Sequence, residues 1–252
     1  MSKKVSTGIN GLDEMIGGGF PEGRVVLIVG GPGSGKTIMC SQFLYHGINE
    51  KQNGVFVSLD ESKKHYFSEM KNFGWDFEKA EKEGKFAFVD ATRMSRVAML
   101  KEALYKEEAS SLRGKALPID RLIQDIQARM QQVNAKRIVV DTLAALVYRF
   151  PDPVERRTTM VDLIESLADL GATSLVTTEL GHLGTTERAA LEEEFLVHGV
   201  IMLQTLFSSG TTTRAMQVEK MRETKVNPSL VPYSIDKTGL EVFPNMPLFG
   251  EK

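Results

Sequence analysis

Residues 30–37 read Gly-Gly-Pro-Gly-Ser-Gly-Lys-Thr, between the apolar run Val25–Val29 and a segment with helical character. This succession of strand, glycine-rich loop and helix constrains the fold more than any other stretch. Glycine lets successive backbone N–H groups turn toward one point, and its missing side chain lets an anion come close. A helix starting near Lys36 adds the positive end of its dipole. Lys36 can then reach β- and γ-phosphates, and the Thr37 hydroxyl can ligate Mg²⁺. The pattern predicts a nucleoside triphosphate site with Mg²⁺, built from Gly30, Gly31, Pro32, Gly33, Ser34, Gly35, Lys36, Thr37 and Ile38.

Further apolar runs recur at Val55–Leu59, Phe86–Asp90, Ile138–Asp141 and Ser174–Thr177, several of them separated by helical patterns. Runs that are apolar throughout suit strands buried on both faces, and alternation with helices implies parallel pairing through crossovers. Helices are predicted over 118–133, where Ile119, Leu122, Ile123, Ile126, Met130 and Val133 share a face, and over roughly 154–170, stopped by Gly171. After residue 198 the pattern changes to Val200–Leu206, Arg214–Lys220 and Val231–Ile235 without intervening helices, which reads as antiparallel strands added to the sheet. The expectation is an α/β fold with a doubly wound, mostly parallel sheet flanked by helices, in one domain over residues 1–252. Residues 93–117 and 180–194 read as polar connections with helical character.

A triphosphate site needs an acidic group near the metal, and Asp141, closing Arg-Ile-Val-Val-Asp, is the best placed. Hydrolysis also needs a group that orients water. Asp60 and Glu61 follow the Val55–Leu59 run at the edge where open α/β sheets bind ligands. Glu61 is the preferred catalytic residue with Asp60 assisting, and capping of the next helix is the competing role for the pair. Thr177, Thr178 and Glu179 end another strand, where they can sense the γ-phosphate or simply close the strand by hydrogen bonding.

Composition narrows the partners. A net charge of −2, with 25% charged residues spread along the chain, gives no overall pull toward nucleic acid or anionic lipid. The lone Cys40 excludes an intramolecular disulfide and fits a reducing cytosol. The N-terminus lacks the apolar core of a secretion signal, and no window approaches the ~18 apolar residues of a membrane span, so a soluble cytoplasmic protein with no membrane partner is expected. His46, His65, His182 and His198 lack metal-ligand spacing, and Trp75 reads as a packing residue.

Ser-Thr-Gly-Ile-Asn-Gly-Leu-Asp-Glu-Met-Ile-Gly-Gly-Gly-Phe-Pro-Glu-Gly at 6–23, the phosphate loop, Asp60-Glu61, Asp141, Thr177–Glu179 and Lys220-Met221-Arg222 together resemble the KaiC-like branch of the RecA/RadA superfamily, in order and over nearly the whole chain. The resemblance implies a RecA-type P-loop ATPase assembling as a homo-oligomeric ring, usually a hexamer, with ATP between subunits. It extends the nucleotide contacts to Glu179, Lys220, Met221, Arg222 and Thr224, with Lys220 and Arg222 reaching the neighbour's site as catalytic cations. Alternate residues on a strand share a face, so both can address one polyphosphate. The family's usual pair is Glu-Glu, so Asp60 is a departure. Beyond Thr224 its base- and ribose-side residues are poorly matched. Glu193–His198 carries no hydroxyl where the clock protein's second domain is phosphorylated, so autophosphorylation is not implied.

Two other functions fit parts of the pattern. One is a nucleotide-gated scaffold for an unidentified protein partner. The other, a recombinase-like DNA-binding ATPase, is disfavoured because 180–194 offers Arg188 and His182 against Glu187, Glu192, Glu193 and Glu194, with no aromatic.

Overall fold

The computed structural model describes residues 3–92, 118–147, 152–180, 192–208 and 211–248. The predicted connection 93–117 and most of 180–194 lie outside them. Strands β1 (Lys4–Val5) and β2 (Phe20–Pro21) pair as a short antiparallel ribbon. The main sheet is built from β3 (Val25–Gly30), β4 (Gly54–Ser58), β5 (Phe86–Asp90), β6 (Arg137–Asp141), β7 (Thr173–Glu179), β8 (Gly199–Ser208), β9 (Thr211–Met221), β10 (Val231–Asp236) and β11 (Gly239–Val242). Their order is β11–β10–β9–β8–β3–β7–β6–β4–β5, with β3 to β8 parallel and β9 to β11 antiparallel.

The apolar runs become strands because both faces of the sheet are covered. Val26 and Ile28 of β3 enter one core with Phe43, Phe56, Tyr66 and Phe88, while Val25, Leu27 and Val29 enter the other with Leu122, Ile126, Leu163 and Leu167. The first core lies under α1 (Leu12–Met15), α2 (Lys36–Asn49), α3 (Lys63–Met70) and α4 (Phe77–Lys82). The second lies under α5 (Pro118–Val133) and α7 (Pro153–Asp169), and the short α6 (Ala144–Val147) falls between them in sequence. Helix α8 (Glu192–Leu196) precedes β8. Each fully buried Phe or Leu contributes about 1.5–3 kcal/mol, so these two layers dominate the stability.

The segment before β3 acts as a clamp. Asp13 accepts from the Ser6 hydroxyl at 2.8 Å and from the Thr7 N–H at 2.9 Å. Gly11, with φ 79°, passes so close to Val242 that a Cβ would meet its carbonyl oxygen at 2.1 Å. Gln42 of α2 donates to Gly8 O and Leu240 O and accepts from Leu240 N, tying the helix behind the phosphate loop to both chain ends.

Candidate nucleotide site

The loop from Gly30 to Gly35 runs from the end of β3 into α2, and its glycines serve two purposes. A Cβ at Gly30 would meet Ser34 Oγ at 2.4 Å, and one at Gly35 would meet Ile235 Cδ1 at 2.4 Å, so Gly30 lets the loop fold back on itself beside β8 and Gly35 lets it pack down on β10. A Cβ at Gly31 or Gly33 would meet nothing within 4 Å, so their faces open outward. Tyr233 supports the loop from below by donating to Ser34 O at 2.6 Å. Gly35 is the N-cap of α2 with no side-chain cap, which leaves the helix's first N–H groups directed at the loop. Ser34 Oγ is buried and has no hydrogen-bond partner. A phosphate fits this cradle, because it would meet N–H groups where no side chain intrudes.

Lys36 Nζ donates to Gly30 O at 2.8 Å and Gly31 O at 3.1 Å, folded back along the loop it is expected to serve. Burial lowers its pKa, while Asp141 and Glu179 pull in the opposite direction. Thr37 Oγ1 donates to Asp141 Oδ2 at 2.7 Å, and Thr177 Oγ1 donates to the other oxygen, Oδ1. The two predicted metal ligands are therefore in contact, and Thr177 fixes the carboxylate from the far side. No group of three or more His, Cys, Asp or Glu among the described residues could hold a metal. One carboxylate and one hydroxyl suit Mg²⁺, which completes its shell with phosphate and water rather than with a protein cage.

A cleft of about 610 Å³ opens beside this pair, at the C-terminal ends of β4, β6 and β7. It brings together Lys36, Thr37, Asp60, Glu61, Asp141 and Glu179, which sequence reasoning had placed on four separate segments. Ser62, not the acidic pair, is the N-cap of α3, and Asp60 and Glu61 lie in the turn before it. Burial first, then Glu69, Asp141 and Asp60, push the Glu61 carboxyl up to about 7. Ser58, His65, Glu69 and Thr142 also line the cleft and were missed. His65 and Glu69 follow Glu61 at helical spacing of four, a signal that was present. Ser58 closes β4 as an ordinary strand serine and gave none.

Lys220, Met221 and Arg222 are not brought to this cleft. Met221 pairs with Gly199, and Gly199 with Val26, whereas the loop begins at Gly30, the partner of Leu203. At about 3.3 Å per residue the two levels are about 13 Å apart along the sheet, before the sideways step across β8. Lys220 Nζ donates to Glu194 O at 2.5 Å, and the Arg222 backbone N–H donates to His198 O at 2.8 Å. Burial and then Arg222 lower the Lys220 pKa. Thr224 is also at this far end, where it accepts from Lys4 Nζ. His198 is in a packing role: its Nδ1 accepts from Val25 N–H at 3.3 Å. Trp75 stacks on Phe73 with centroids 4.9 Å apart, as a packing residue should.

Fold and cradle define a RecA-type P-loop core. The family model described as ATPase: KaiC matches residues 5–246, and the chain belongs to that family. Membership supports ATP binding. The chain is similar to a UPF0273 protein of Pyrococcus furiosus, 34% identical over 97% of this chain and 96% of the relative. It is also similar to the circadian clock protein KaiC3 of Synechocystis, 33% identical over 96% of this chain but 46% of that protein. Among solved structures, a KaiC-like protein of Pyrococcus horikoshii superposes with a TM-score of 0.79 at 34% identity, covering 97% of this chain and all of the other. No helix among the described residues is long and apolar enough to cross a membrane.

Proposed function

We propose that the protein is a Mg²⁺-dependent ATPase, one domain per chain, that works in a ring, with a hexamer as the expected count, and completes each site with Lys220 and Arg222 of a neighbour. The observation that carries this reading is a charge imbalance. The cleft is lined by the carboxylates of Asp60, Glu61, Glu69, Asp141 and Glu179 against one lysine, Lys36, yet its loop is shaped for a polyanion. Mg²⁺ supplies part of the missing positive charge when bound. The rest must come from outside the cleft, and Lys220 and Arg222 of the same chain are too far away to give it.

Within this scheme the loop N–H groups and Lys36 would hold the phosphates, while Thr37 and Asp141 would hold Mg²⁺. Glu61 takes the proton of the attacking water as the γ-phosphorus forms its bond to that water and releases the bridging oxygen of ADP. Asp60 and Glu179 flank the attack. The likeness to a circadian clock protein supports a regulatory use of that hydrolysis, which we expect to be slow. Phosphate release from ATP and Mg²⁺, measured for wild type, Lys36→Ala and Glu61→Gln, tests the enzyme assignment. Wild type should exceed both variants by about 10²-fold or more. Equal rates for all three, with ATP still bound, would make the protein a nucleotide-gated scaffold instead.

A further inference from the structure

Ser58 is the last residue of β4 and is almost completely buried, with 1% of its surface exposed. Its backbone is fixed from both sides. It pairs with Asp90 on β5 and Asp141 on β6, its carbonyl accepts from Ala91 N at 2.8 Å, and the next N–H, of Leu59, donates to Asp141 O at 2.7 Å. Its hydroxyl then makes two bonds to one residue: it donates to Glu61 O at 2.6 Å and accepts from Glu61 N–H at 2.9 Å. The turn 58–61 is closed by that single hydroxyl, which satisfies both backbone polar groups of Glu61 and leaves its side chain to line the cleft.

We infer that Ser58 is a positioning residue for the reaction, holding Glu61 over the cleft and tying its placement to the strand that carries Asp141. The inference rests on Glu61 acting as the base. A local bond pair of this kind matters out of proportion to its energy, because misplacing a reacting group by about 1 Å can cost about 10²-fold in rate. The two bonds lie in one turn at the end of the sheet, so their loss acts first on where Glu61 sits.

The test is steady-state ATP hydrolysis by Ser58→Ala, Ser58→Thr and Ser58→Val, alone and combined with Glu61→Gln, alongside the affinity for a non-hydrolysable ATP analogue. Thr and Val share a shape and differ by the hydroxyl, so this pair decides the matter even if Ser58→Ala folds poorly. Ser58→Ala and Ser58→Val should lower kcat about tenfold with analogue affinity within about twofold of wild type, and Ser58→Thr should restore the rate. The acid limb of kcat/KM should move down in the slow variants as Glu61 regains water, and the loss should vanish in the Glu61→Gln background. Equal rates for Ser58→Thr and Ser58→Val, or an undiminished loss on top of Glu61→Gln, would overturn the inference while leaving Glu61 as the base. A wild-type rate for Glu61→Gln alone would overturn both.

Discussion

One end of the central sheet gathers carboxylates around a single lysine, and the other gathers four cations, of which Arg24 is paired with Glu223. At the C-terminal ends of β4, β6 and β7 the cleft gathers Asp60, Glu61, Glu69, Asp141 and Glu179 around Lys36. At the other end, Arg24 precedes β3, Arg137 opens β6, and Lys220 and Arg222 close β9. The cations there are committed differently. Arg137 is 1% exposed, donates to Phe43 O at 2.6 Å and Gln52 Oε1 at 2.9 Å, and stacks over the Phe43 ring at 4.4 Å. Burial lowers its pKa to about 10, still far above neutrality. Arg222 is exposed, one residue past the end of β9, with its backbone N–H held by His198 O at 2.8 Å. One arginine is spent on the chain's own packing and the other is presented outward, so equal charge at the same sheet end supports opposite functions.

That contrast is open to direct attack. Arg222→Ala should lose the most activity, about 10³-fold or more in kcat if it acts as an arginine finger, with its melting temperature close to wild type. Glu61→Gln should cost about 10²–10⁴-fold with nucleotide still bound, as measured by single-turnover hydrolysis. Arg137→Ala should reverse the pattern: about 2–4 kcal/mol less stability in urea unfolding, from an emptied site and unpaired acceptors, with kcat preserved where the domain stays folded. A pH profile comes next. Because the raised Glu61 carboxyl is protonated below about 7, kcat/KM should fall about tenfold per unit below that point, and Glu61→Gln should lose this limb. The smallest effect belongs to the exposed Arg24–Glu223 pair, 2.7 Å apart, where Arg24→Ala should cost about 0.2–1 kcal/mol.

Much of this is legible in the sequence. The inner strands and the 118–133 helix follow from apolar runs and helical spacing, because burial on both faces leaves a strong local signature. The β1–β2 ribbon and β11 do not, since strands of two to four residues are too short for a pattern, and their pairing is reinforced by Asp13, Gln42 and close glycine contacts with distant segments. The site divides in the same way. The phosphate loop is one contiguous stretch and reads directly, whereas Asp141, Glu61 and Glu179 needed a fold to make them neighbours. Ser58 was illegible because its importance lies in two hydrogen bonds closed by a turn. The capping role weighed for Asp60 and Glu61 went to Ser62, one residue later, where the helix begins.

The central claim is that Gly30–Thr37 and Lys220–Arg222 meet only between copies. Mixing Glu61→Gln with Arg222→Ala in subunit-exchanging oligomers tests it most directly. Each Arg222→Ala subunit retains Glu61, and each Glu61→Gln subunit retains Arg222. An equal mixture should therefore rebuild about a quarter of the interfaces and recover up to about a quarter of wild-type turnover. A mixture no faster than the average of the two variants, with exchange demonstrated, would contradict a shared site.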